Sequence, residues 1–188
     1  MILFTNVRKD NITDLSRSGP SNLRSLHPSK VGPVFAYDGT QASSLSSLLH
    51  HAQVFTPHLA LDGTVKPEYY TWAKRYWGLQ RLNNPTEFKT LPASEFFLWD
   101  GEKLDTVGIR TKVYIPQYMD AVRSLKAWLV LKNQYEIRGT LTFFDHDLKP
   151  NKTSLAGLIS DPAVTFHHGH VLAMMLMYGD KAKFEDVL

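Results

Sequence analysis

After Pro116, apolar and aromatic residues recur at spacings of three and four: Tyr118, Met119, Val122, Leu125, Trp128 and Leu129. That period is the turn of an α-helix, so the spacing predicts one long helix whose stripe must lie on a core. Pro116 has no N–H to donate, which predicts a kink or a fresh helix start there. The segment from Pro67 to Leu79, PEYYTWAKRYWGL, predicts a second helix, dense in aromatics and ended by Gly78. Shorter helices are predicted over Ser43–Ala52, capped by Ser43 or Ser44, over Leu104–Lys112, over Ser154–Ile159, and over Gly169–Tyr178 before Gly179.

Strands are predicted at Ile2–Thr5, at Pro33–Tyr37 before the turn pair Asp38-Gly39, and at Gly139–Phe144. Residues 17–32, rich in Ser, Pro and Gly, read as a mobile loop, and residues 80–100 as a second loop. Strands stand among helices without strict alternation, there is no internal repeat, and no stretch reads as a linker. The expectation is an α+β fold, a single compact, helix-rich domain over residues 1–188 with a few short strands.

Composition narrows the function. With 21 Lys+Arg against 18 Asp+Glu, the net charge of +3 does not by itself imply nucleic-acid binding, and the basic residues are not clustered beyond Lys74-Arg75 and Arg8-Lys9. The absence of Cys excludes disulfides, thiolate metal sites and a Cys nucleophile. The opening MILFTNVRKDNITDL predicts no signal peptide. The longest apolar stretch, Val171–Met177, falls well short of the roughly 20 residues that span a bilayer, so no membrane partner is expected. No GxGxxG, Walker or GxSxG pattern is present.

The stretch FFDHDLKP, residues 143–150, ends a predicted strand with Asp145, His146 and Asp147. Together with His167-His168-Gly169-His170 it could ligate a metal if the strand end met the helix start. Neither spacing is a metal signature, and turn-capping Asp and His are commoner, so the expectation is no bound metal and no cofactor. Asp145, immediately after the apolar strand, is the carboxylate expected in a pocket, whereas Asp147 belongs to the following loop. His170, in the first turn of an apolar helix, is either an anion donor or a core imidazole bonded to backbone. Trp72 and its aromatic neighbours supply either a stacking wall for a base or core.

The run LDTVGIRTKVYIPQY (104–118), then LTFFD (141–145) and GHVLAMML (169–176), resembles a group of uncharacterised phage and bacterial proteins that are distantly similar to the NADAR family. The resemblance implies a cytoplasmic protein in a bacterial cell that binds a nucleotide or ADP-ribosyl group, free or on nucleic acid. It also implies hydrolysis of an N-glycosidic bond, a reaction that needs a carboxylate beside an oxocarbenium-like centre. By the same resemblance Arg110, Tyr114 and His170 are pocket donors and Asp145 is the carboxylate. NADAR proteins use a catalytic glutamate on an early helix; here Ser46 takes that place, with Glu68 on the next helix as a substitute. Whether the chain is an enzyme is left open. The alternative is a non-enzymatic module that binds nucleic acid or a host protein through the aromatic helix and the 17–32 loop, such as a phage inhibitor of host defence.

Overall fold

The computed structural model describes residues 1–78, 93–148 and 154–179. Strand β1 (Ile2–Thr5) is followed by the two-residue β2 (Thr13–Asp14) and by a small hairpin of β3 (Val34–Phe35) and β4 (Gln41–Ala42). Helix α1 (Leu45–His51) leads to β5 (Gln53–Phe55) and α2 (Pro67–Trp77). The hairpin β6 (Ser94–Trp99) and β7 (Glu102–Leu104) runs into α3 (Thr106–Ile109), a π-helical turn (Arg110–Tyr114) and α4 (Ile115–Arg123), one continuous helical stretch. Then come α5 (Lys126–Arg138), β8 (Leu141–Phe144), α6 (Leu155–Ser160) and α7 (His168–Tyr178). The class is α+β, as the mixed order of periodicities implies.

Residues far apart in sequence meet at β8. It is the middle strand of a parallel trio, with Ile2 to Thr5 beside Leu141 to Phe144 on one side and Thr13-Asp14 beside Phe143-Phe144 on the other. Parallel strands flanked in this way are covered on both faces, which is why Leu141, Phe143 and Phe144 are all buried. Helix α7 is buried from His168 through Met175, and its apolar residues go all the way round, as a helix in the interior requires. A separate antiparallel sheet, β5-β6-β7, carries Phe97 beside the start of α3.

Three expectations are corrected. The stripe from Tyr118 to Leu129 is not one helix: Leu125 is extended (φ −80°, ψ 134°) and divides α4 from α5. Trp128 is still buried at 1% exposure, but Leu129 is 61% exposed because the phase set in α4 does not carry past the break. Residues 94–99, read as loop, form β6, turning through Asp100 (φ 49°) and Gly101 (φ 77°) into β7. The part of that predicted loop from 79 to 92 lies outside the described residues. The 17–32 segment is anchored, since Leu23, Leu26 and Val31 are buried and Tyr118 Oη donates to the Leu26 carbonyl at 2.6 Å.

Candidate functional site

Pro116 explains the local backbone. It cannot donate to the Lys112 carbonyl, and its ring would crowd that group in a regular α-turn. The helix widens instead into a π-turn, with Ile115 N–H reaching the Arg110 carbonyl. Such single-turn bulges recur at functional positions. Arg110 and Tyr114, at the two ends of the widened turn, both face a cleft of about 460 Å³. Pro28, Ser46, Leu49, His50, Gln53, Phe97, Thr106, Ile109 and Phe166 complete its lining among the described residues.

The Arg110 guanidinium is buried, and both its Nη groups donate to main-chain carbonyls. Nη1 donates to the carbonyls of Leu158, Ile159 and Asp161 at 3.1, 2.9 and 2.9 Å, and Nη2 to that of Val164 at 2.9 Å. Its carbon lies 5.1 Å from the centre of the Phe166 ring. Arg110 thus ties α6 and the chain leading to α7 onto the π-turn while leaving its charge beside the cleft. Burial holds its pKa below the ordinary guanidinium range, and Asp161 and Asp105 act the other way. Tyr114 packs edge-on against Phe166, with ring centres 6.0 Å apart. Burial raises the Tyr114 pKa, so the phenol stays neutral. Burial also lowers the pKa of His50.

One residue beyond Phe166 a second constellation begins. The Asp145 N–H donates to Thr5 across the sheet at 3.4 Å, so the parallel trio fixes the carboxylate, which is 5% exposed. Its Oδ1 accepts the His146 N–H at 2.6 Å. Its Oδ2 stands 3.2 Å from His167 Nε2, a contact that stabilises the carboxylate without meeting full hydrogen-bond geometry. Burial opposes ionisation of Asp145, but His167, the His146 N–H and His27 together outweigh it and hold the carboxyl below its usual range. His167 Nδ1 accepts from Gly169 N–H at 3.3 Å, and His168 Nε2 donates to the Leu15 carbonyl at 3.1 Å. The His167 and His168 rings are 4.0 Å apart, and the His27 ring is 5.3 Å from that of His168. Burial keeps His168 well below the ordinary imidazole range.

The residues expected from the sequence divide between these places. Arg110 and Tyr114 line the cleft, as does Ser46. Asp145 is not among the cleft-lining residues; it is buried against His167, while Asp147 is exposed. His170 takes the core alternative: its Nδ1 accepts the His167 N–H at 3.0 Å and its ring lies 4.8 Å from Phe4 and 5.3 Å from Phe166. Burial brings its pKa down to about 3. Trp72 is half-buried away from the cleft, 4.6 Å from His58 and 5.1 Å from His51, and Glu68 is exposed in the first turn of α2. The aromatic helix is mainly core, with Tyr69 Oη and Trp77 Nε1 donating to the His51 and Leu48 carbonyls, and Lys74 is paired with Asp38 at 2.6 Å.

The expectation of no metal rested on spacing, and here the geometry differs: ligand atoms of Asp145, His167 and His168 lie within 4.8 Å of one another. The strand end does meet the helix start, and the imidazoles that converge are the adjacent His167 and His168, with His170 turned into the core. Phe97, Phe166 and His27 carried no sequence signal of a site. Only the apolar, aromatic run at 96–99 ahead of Asp100-Gly101 could have brought out β6 and, with it, Phe97.

No helix among the described residues is long and apolar enough to cross a membrane. No family model, curated protein or solved structure matches this chain.

Proposed function

We propose that the cleft between α1, β6 and the π-turn binds a nucleotide or an ADP-ribosyl compound. The observation that supports this most is its lining: Phe97, Tyr114 and Phe166 surround the same space as the polar groups of Ser46, His50, Gln53 and Thr106, beside the Arg110 charge. Aromatic faces accept any base, at about 1–3 kcal/mol per stacked ring. The volume of about 460 Å³ falls within the range of small-molecule sites. Nη1 and Nη2 of Arg110 already donate to carbonyls, so its part in phosphate recognition is chiefly the field of its charge.

Glycosidic hydrolysis needs a carboxylate beside the anomeric carbon. The described lining residues include none, so the reading rests on binding. Calorimetric titration with ADP-ribose, NAD and AMP tests it. Saturable binding is expected from at least one of them, weakened about tenfold or more in Phe166→Ala, the loss of one stacked ring. Trp72→Phe should bind as the wild type does. No binding by any of the three, or full affinity in Phe166→Ala, overturns the proposal.

A further inference from the structure

We propose that Asp145, His167 and His168 form a binding site for one divalent transition-metal ion, for which Zn²⁺ is the probe. Three observations meet here. The first is the convergence itself, three ligand atoms within 4.8 Å of one another, from a strand end and a helix start that the parallel sheet holds in place. The second is the buried Asp145 Oδ2, which has no full hydrogen bond although the residue is only 5% exposed. That oxygen has only the 3.2 Å His167 contact beside it, and a buried carboxylate oxygen so placed is a ready ligand for a cation.

The third observation is the spacing and bonding of the donors. Oxygen and imidazole ligands sit at about 2.0–2.2 Å from Zn²⁺, so two neighbouring ones are roughly 3.0–3.4 Å apart at tetrahedral or octahedral angles. Asp145 Oδ2 and His167 Nε2 are 3.2 Å apart. His168 Nε2–H is held by the Leu15 carbonyl, which leaves Nδ1 as the ligating atom with the backbone support that metal-bound imidazoles usually have. Ligation through His167 Nε2 places that ring's proton on Nδ1 and releases the 3.3 Å contact from Gly169 N–H, a long one. Two imidazoles and a carboxylate favour a borderline ion over Mg²⁺ or Ca²⁺. The His27 ring stands 5.3 Å from that of His168. The site is independent of what the neighbouring cleft binds, because none of the three ligands is among the cleft-lining residues.

The chelator-treated full chain should bind one Zn²⁺ per molecule by calorimetry, with elemental analysis after dialysis giving the same ratio, and Mg²⁺ should give no heat. Asp145→Asn and His167→Gln should each weaken Zn²⁺ at least about tenfold, a floor set by what losing even an outer partner of a metal ligand costs. His146→Gln and Asp147→Asn, on exposed neighbours, should bind as the wild type does. Circular dichroism of the ion-free variants separates lost ligation from lost folding; should Asp145→Asn fail to fold, His167→Gln decides. Absence of one-to-one binding in the wild type, or unchanged affinity in a folded His167→Gln, overturns the proposal.

Discussion

Arg110 and Asp145 are both charged, both about 5% exposed, and reached from the two ends of one short segment, residues 158–167, yet their surroundings are opposite. Arg110 gives hydrogens to four main-chain carbonyls. On the more saturated side, Nη1 and Nη2 of Arg110 hold the 158–164 segment in place. On the unsaturated side the Asp145 charge is stabilised by His167 and the His146 N–H, yet one of its oxygens has no full hydrogen bond. From the sequence Arg110 is expected as a donor to the ligand and no metal is expected; the metal site proposed above departs from that expectation.

The largest effect should come from the saturated side. Arg110→Met takes a charged donor from four carbonyls, of which that of Asp161 keeps the Val164 N–H, and should cost about 3–5 kcal/mol in denaturant unfolding. A loss below about 1 kcal/mol would remove the contrast by showing that the carbonyls find water instead. His51 provides a buried polar group outside both regions. Its Nδ1–H donates to the Ser47 carbonyl at 2.7 Å, and burial lowers its pKa from 6.5 to about 4. The unfolded chain therefore takes up a proton first, and stability falls as pH drops through the window from 6.5 to about 4. That single imidazole accounts for at most about 3 kcal/mol of the fall. His51→Asn, which keeps a donor near Nδ1, should flatten the stability profile in that window. An unchanged slope would mean that the ring is protonated in place.

The smallest effect belongs to the unsaturated side. Without metal, Asp145→Asn should cost about 1 kcal/mol, because the amide gives up the ion-pair contact with His167 but keeps an acceptor for the His146 N–H. A loss comparable to that of Arg110→Met would place Asp145 among the saturated groups.

The same contrast explains what could be read from the sequence. Local patterns were legible: Ser44 caps α1 by accepting the Ser47 N–H at 3.1 Å, and the Leu141–Phe144 strand delivers Asp145 into the interior, although Gly139, read as the start of that strand, ends α5 at φ 67° instead. These depend on residues within a few positions of one another. The break at Leu125 was not legible, because its apolar side chain suits either a continuing helix or a cap. The partners of Arg110 are carbonyls some 48 to 54 residues away, and any residue type supplies a carbonyl. The pairing of Asp145 with His167 likewise depends on where α7 starts relative to β8. Sequence displayed both groups without indicating their separation or which neighbouring imidazole would turn inward.

Equilibrium unfolding of the wild type and Asp145→Asn, each with and without Zn²⁺, tests the contrast most directly. The ion-free proteins should differ by only about 1 kcal/mol, and Zn²⁺ at about a hundred times its wild-type dissociation constant should stabilise the wild type by about 2.7 kcal/mol and the variant, with its affinity at least about tenfold weaker, by no more than about 1.4 kcal/mol. Equal stabilisation of both proteins, or of neither, would contradict the assignment of the open Asp145 oxygen as a ligand.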